Sequence, residues 1–292
     1  MADTENEKVD RDVRPAMGPF LKLWWREIAG AIVVLVSRLL TDPLTYWESD
    51  EMLFGAALRR FDPWNSHPHP PGYPLYVGLG KLFLLFAPNA FTALRALSIV
   101  SCVLGFIVLA IVYRRCLGGD RTLAVCAALI FYFTPALLIH GTLPLSDSPA
   151  ILFIALALLA AMLMPEDVTD RSAIAFGLAC SAVIGVRPQL AVVILPLAAV
   201  CLARSTMRRA ITATTSFTIL CIAWFEPLVE AAGGWDRFVE WERHQMVYVA
   251  SHDAVASRGS ASVGALLVRF VFHPFGPKTI AVPVLLMMIA GA

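Results

Sequence analysis

Long apolar runs follow one another through this chain, and they constrain its fold more than any other feature. A helix needs about 20 apolar residues to cross ~30 Å of hydrocarbon. Residues 28–45, 92–113, 122–140, 149–164 and 210–225 each meet or approach that length, and a last run, 278–292, closes the sequence. Apolar residues make up 58% of the 292 and charged residues only 15%, against roughly 25% charged in soluble domains. Such a chain is expected to be all-α and embedded in a lipid bilayer. The near-neutral net charge of +1 gives no reason to expect a nucleic-acid partner.

Two stretches need a choice. Residues 172–203 carry a single charge, Arg187. As one helix they would run ~48 Å, too long for a bilayer without strong tilt. Gly185 and Pro188 flank Arg187 and predict a break there, giving a hairpin of two short helices with Arg187 at its tip. Residues 73–86 contain Lys81 and are about 14 long, which suits an interfacial or re-entrant helix better than a span. The distribution of basic residues on short loops supports both choices. With the amino terminus inside, the short inner loops hold Arg114, Arg115 and Arg121, then Arg171, then Arg204, Arg208 and Arg209. The short outer loops hold only Arg187. The expected architecture is a polytopic transmembrane helical bundle of about eight spans. It has a cytoplasmic tail at 1–27, a membrane domain at 28–292, a first outer loop at 46–91 with juxtamembrane helices, and a second outer segment at 226–277. The tail holds eleven charges of mixed sign and no apolar core, so it reads as a flexible segment rather than a signal peptide. Arg38 falls near the outer end of the first span, where it is expected to snorkel.

The six cysteines, Cys102, Cys116, Cys126, Cys180, Cys201 and Cys221, mostly lie inside apolar runs at no metal-like spacing, and read as small core residues. Five of seven tryptophans (Trp47, Trp64, Trp224, Trp235, Trp241) and all six histidines (His67, His69, His140, His244, His252, His273) fall on the outer side of this map. An aromatic belt accounts for part of that, and histidine's avoidance of lipid for more. The titratable chemistry is nonetheless concentrated on one face.

The first outer loop opens Tyr46-Trp47-Glu48-Ser49-Asp50-Glu51-Met52-Leu53-Phe54, three carboxylates in four positions. Crowded carboxylates raise one another's pKa and suit a general base. Asp and Glu also favour a helix start, and that plainer cause fits the helical look of 51–58. Then comes His67-Pro68-His69-Pro70-Pro71-Gly72-Tyr73-Pro74-Leu75. Its prolines form a stiff turn that can hold His69 in one place, or serve only as a linker. Two further sequences bear on the same face: Leu145-Ser146-Asp147-Ser148-Pro149, and Gly185-Val186-Arg187-Pro188-Gln189. In the first, Ser148 as N-cap with Pro149 at the first helical position is the simple account, with an active-site role for Asp147 as the other.

These motifs together resemble the GT-C superfamily of membrane glycosyltransferases, in the branch of protein O-mannosyltransferases and lipid A aminoarabinose transferases. The order of elements is similar too, including an Ala-Leu-Arg-Ala-Leu-Ser entry at 93–98. The likeness covers roughly residues 28–225. It implies transfer of a sugar from a polyprenyl phosphate to a protein, lipid or glycan acceptor on the outer side of a cell membrane, in one displacement. By that likeness Asp50 matches the catalytic acid and Glu51 its neighbour, and Glu48 leaves a second register open. His69 stands where some relatives place a basic phosphate contact, and Arg187 is the second phosphate candidate. Arg243 and His244, within Trp241-Glu242-Arg243-His244-Gln245, are weaker ones; a solvated amphipathic helix explains them as well. His67 and Tyr73 belong to the same turn as His69. Some relatives use a divalent metal, which Asp50, Glu51 and His69 would be able to supply with ligands, although no sequential ligand spacing supports it. Relatives usually carry further spans after this point, so the chain is expected to be the amino-terminal part of such an enzyme. No phosphate-binding glycine loop or dinucleotide fingerprint occurs. Two other classes stay open from the residues alone: a multi-pass transporter or lipid flippase, suggested by the broken helix at 172–203, and a non-catalytic membrane subunit.

Overall fold

The computed structural model describes residues 19–253, 262–272, 275 and 277–290. Among the described residues the regular structure is helical, with no strand; a single antiparallel bridge joins Asp62 and His67. The helices are α1 (Pro19–Leu40), α2 (Ser49–Arg59), α3 (Pro74–Leu84), α4 (Ala90–Cys116), α5 (Arg121–Tyr132), α6 (Pro135–His140), α7 (Asp147–Leu163), α8 (Arg171–Val186), α9 (Ala191–Ala203), α10 (Met207–Ala231), α11 (Trp235–Tyr248), α12 (Val263–Phe272) and α13 (Lys278–Ala290). By length and composition α4 and α10 are apolar enough to cross a membrane. The other apolar helices are shorter, and α1 carries Lys22, Arg26, Glu27 and Arg38.

Local chemistry sets the boundaries. Asn89 accepts the Thr92 N–H at 2.9 Å to start α4, and Asp120 accepts the Leu123 N–H at 3.0 Å to start α5, each satisfying an amide that has no partner inside its helix. Between them Gly118 and Gly119 take φ 63° and 92°, the left-handed conformation that ends a helix most cheaply when the residue is glycine. Pro74 opens α3 at the first helical position, where its missing N–H costs nothing.

The long helices run up and down and pack side by side. α4 lies along α5 and α7, α7 along α8, and α8 along α10, while α1 leans on α4 and α5. Small residues let the backbones approach. Ala173, Gly177 and Ser181 form a stripe on α8, and Gly177 faces the Ala213 carbonyl and Ser216 hydroxyl of α10. Ion pairs gather at one end. Arg115 pairs with Glu166 at 3.1 Å, Arg208 with Asp170 at 2.6 Å, and Arg121 with the buried Glu27 at 3.9 Å. The opposite end carries the segment 41–89, the start of α7, the α8–α9 connection and the end of α10.

Several sequence expectations change. α1 begins at Pro19, so residues 19–27 are helix and not tail; Glu27 is anchored by Arg121, and Trp24 lies under the Arg114 and Arg121 guanidiniums. Residues 1–18 lie outside the described set. α1 stops at Leu40 rather than 45. The run 122–140 is two helices, because Pro135 forces Thr134 into an extended conformation (ψ 143°). That break exposes the last carbonyls of α5, and Arg38 answers them. Its side chain is fully buried and donates to the Tyr132 carbonyl at 2.6 Å and to Ser37 Oγ at 3.0 Å, over the Phe133 ring. Arg38 therefore does not snorkel; it caps a helix end, where a cation is favoured. Helix α7 starts at Asp147 with Ser146 at the N-cap, and Ser148 instead donates to the His140 carbonyl at 3.1 Å. The break at Arg187 is present: α8 ends at Val186, and Pro188–Leu190 make a short 3₁₀ turn into α9.

Candidate functional site

The segment after α1 builds one wall of the site. Glu48 is the N-cap of α2, with extended backbone (φ −119°, ψ 154°), and Asp50 and Glu51 fall in the first turn. Negative charge is favoured there by the helix dipole. The two carboxylates then part. Glu51 is buried; one oxygen accepts the Trp47 N–H at 3.1 Å and the other has no partner. Burial pushes its carboxyl above the ordinary value, the Trp47 hydrogen bond opposes this, and the charge of Glu48 adds to it. Asp50, one position earlier, keeps its side chain 48% exposed.

The proline turn places the opposing groups. Gly72 (φ 92°) and Tyr73 (φ 45°) both adopt left-handed conformations before α3. For a tyrosine this is a strained state that surrounding contacts must hold. The contacts are present. The Tyr73 ring meets Phe54 edge-on at 4.9 Å, and its hydroxyl accepts a 2.6 Å bond from Gln189 Nε2. His69 packs between Phe54 (5.6 Å) and Tyr73 (5.1 Å), and its Nε2 lies 3.7 Å from Asp50 Oδ2. Burial lowers the His69 pKa; Asp50 acts against that shift and Arg187 adds to it. The imidazole is therefore biased toward its neutral form. Burial likewise raises the Tyr73 hydroxyl, opposed by its bond from Gln189, so it stays a protonated donor.

The α7 and α8–α9 ends close the other side. Arg187 NH1 bonds Asp147 Oδ2 at 2.7 Å and Ser146 Oγ at 3.1 Å. Both charged groups stay within reach of solvent, at 33% and 28% exposure. Asp50, His69, Tyr73, Asp147 and Arg187 share one electrostatic neighbourhood, since Arg187 acts on His69 and Tyr73, and Asp50 and Asp147 on Tyr73. The arrangement offers a solvent-reachable carboxylate, an imidazole, a phenol and a guanidinium from segments far apart in sequence.

Other sequence candidates lie elsewhere. Glu48 is exposed at the helix start. His67 belongs to the Asp62 turn, bridging it by backbone bonds of 2.7 and 2.9 Å. His244 meets the Trp64 ring edge-on at 6.4 Å, and Arg243 is exposed on the same helix. No contact among the described residues joins Arg243, His244 or His67 to Asp50 or Arg187. The trio Asp50, Glu51 and His69 does not converge, because Glu51 turns back to its own helix start. Among the described residues no three His, Cys, Asp or Glu side chains are grouped to hold a metal ion. A divalent metal at Asp50, Glu51 and His69 therefore finds no fitting ligand set among the described residues.

Sequence inspection missed Gln189 and Ser146 as contacts, although both lie inside motifs it singled out. It also missed His140. Its Nδ1 is buried without a partner, and it shares the electrostatic neighbourhood of Glu51, 89 positions earlier. No local spacing signals a pair so distant. Comparison with protein-family models, with curated proteins and with solved structures gives no match.

Proposed function

We propose that the chain is a multi-pass membrane glycosyltransferase that moves a sugar from a polyprenyl phosphate to an acceptor hydroxyl on the outer face of a cell membrane. In this arrangement about eight helical segments cross the bilayer, the amino terminus is cytoplasmic, and Asp50, His69 and Arg187 face outward. The observation that carries the assignment is the meeting of Asp50, His69 and Tyr73 with the Arg187–Asp147 pair, 3.7 Å separating Asp50 from His69.

The chemistry is a single displacement. Asp50 takes the proton of the acceptor hydroxyl as the oxygen attacks the anomeric carbon. The bond between that carbon and the phosphate oxygen breaks, and the phosphate leaves with the electron pair. Arg187 stabilises the charge gathering on the departing phosphate, sharing its guanidinium between Asp147 and the lipid. His69 stands 3.7 Å from Asp50 and lines the pocket beside it rather than serving as a second cation. Tyr73, held by Gln189, donates toward the sugar or the phosphate. An apolar groove of about 690 Å³, lined by Phe131, Phe133, Pro135, Leu137, Phe275 and Val284 among others, suits the polyprenyl tail.

Mass spectrometry of surface glycolipids and glycoproteins from cells with and without the gene tests this. A sugar-bearing species should disappear on deletion and return with the wild-type gene but not with Asp50→Asn. An unchanged glycan profile would remove the assignment. The two interrupted helices, α5–α6 and α8–α9, favour a second class, a lipid or solute transporter. A transporter would lose uptake or flipping on deletion while in vitro sugar transfer stayed absent.

A further inference from the structure

Helix α11 carries an apolar stripe that the rest of the described fold leaves bare. The chain leaves α10 through Ala232 and turns at Gly233 and Gly234, with φ 92° and 98°. Trp235 then begins α11. One side of the helix packs inward. Trp241 is buried, and Phe238 lies 6.0 Å from it and 5.4 Å from Phe225 of α10. Next to this side, Trp235, Val239 and Met246 are 60%, 46% and 64% exposed. At 3.6 residues per turn these three fall within about 40° of one another. Asp236, Glu240 and Arg243, all exposed, occupy the next sector of the wheel, about 80–140° from Trp235. The helix thus shows an inward side, an open apolar stripe flanked by the half-buried Glu242, and a mainly charged sector that also holds the exposed Val247.

A second open apolar face lies on α10. Ile211, Ile219 and Ile222 are exposed on one face of that helix. Phe225, one turn beyond Ile222, lies 6.3 Å from the Trp235 ring. α10 is one of two helices among the described residues long and apolar enough to cross a membrane, and in a bilayer its bare isoleucine face would meet lipid. It meets the stripe of α11 through the Phe225–Trp235 contact, with the exposed Glu226 beside it.

We propose that α11 lies in the interfacial layer of a lipid bilayer, with Trp235, Val239 and Met246 in the boundary between headgroups and acyl chains and Asp236, Glu240 and Arg243 in water. Tryptophan favours that layer because its ring is apolar and its N–H is polar. An apolar edge beside a charged edge is the pattern of a helix lying in the membrane plane. The inward side ties this seat to the fold. Trp241 and Leu228 press on Gly72, where an added Cβ would come 3.4 and 2.6 Å from them. Arg237 stacks on Trp64 at 5.0 Å, and Trp64 Nε1 donates to the Ala232 carbonyl at 2.7 Å. The inference does not depend on sugar transfer.

Tryptophan quenching tests it. Wild type and Trp235→Phe are reconstituted in phosphatidylcholine vesicles with and without lipid brominated at shallow acyl positions. The emission that disappears with Trp235→Phe should be blue-shifted, lose most of its intensity to the brominated lipid, and resist aqueous iodide. Quenching by iodide without quenching by bromolipid would put the stripe in water. Resistance to both would put it under protein, a second copy included; either result overturns the proposal. Met246→Trp, placed on the same stripe, should gain emission with the same lipid sensitivity.

Discussion

Asp50 and Glu51 are neighbours with opposite fates, and burial is the largest part of that difference. Asp50 keeps half its surface in water and faces His69; Glu51 is enclosed and turned to the Trp47 amide. The crowding of carboxylates was readable in the sequence, but which of them stays exposed was not, because that depends on how α2 seats against its neighbours. The Arg187–Asp147 pair was likewise unreadable: its members lie 40 positions apart, and each motif alone explains itself as a helix end. Two outcomes follow at this scale. Arg187→Ala should raise the donor KM about 10- to 100-fold, the range of a lost charged hydrogen bond, while the acceptor KM stays unchanged. Steady-state kinetics with each substrate varied in turn checks this; an equal rise in both would return Arg187 to a structural role. Glu51 supplies the second. Its folded pKa is raised, so its contribution is whole below about 4.5 and is lost as pH climbs through the raised value. Glu51→Gln keeps the acceptor for Trp47 without the charge. In detergent melts the variant should match wild type near pH 4.5 and exceed it by a few degrees near pH 8, since each kcal/mol moves Tm by about 2–4 °C in a chain of this size. A variant less stable at both values would show that the carboxylate itself is required.

Among elements, proline explains most of what was legible. Pro74 starts α3, Pro188 divides α8 from α9, and the left-handed glycines at 118 and 119 end α4. The division of α5 from α6 escaped notice because Pro135 sits within an otherwise continuous apolar run. The buried Arg38 escaped for the same reason, since its partner is a carbonyl that only the break makes available. The start of α1 was hidden by Lys22, Arg26 and Glu27. Charges in a row suggest a tail, yet Glu27 is buried against α5. Helix contact itself is testable at Gly177. A methyl there would collide with the Ala213 carbonyl and the Ser216 hydroxyl, and backbone cannot step aside as a flexible side chain does. Gly177→Ala should cost about 1–3 kcal/mol, the usual range for overpacking, read as a lower Tm in detergent. An unchanged Tm would mean that α8 and α10 lie further apart.

For the molecule as a whole, the arrangement rests on two unlike ends. One gathers Arg115, Arg121, Arg208 and Arg209 with their carboxylates; the other gathers Asp50, His69, Asp147 and Arg187. The asymmetry of charge was visible in the sequence, because arginines recur wherever apolar runs end on one side. In a background without native cysteines, Ser66→Cys should react with an impermeant maleimide added outside intact cells, and Arg204→Cys only after the membrane is opened. Labelling of both from one side would contradict an odd number of crossings between them. The catalytic claim is tested most directly by following the sugar on the donor lipid. Membranes containing the full chain are given polyprenyl phosphate bearing a radiolabelled sugar, drawn from the host's own lipid-linked pool, and the label remaining on lipid is measured over time. Wild type should move the label off the lipid, and Asp50→Asn, with donor binding intact, should leave it there. Label that departs equally fast with Asp50→Asn, or that never departs with wild type, would contradict the proposed transfer at Asp50.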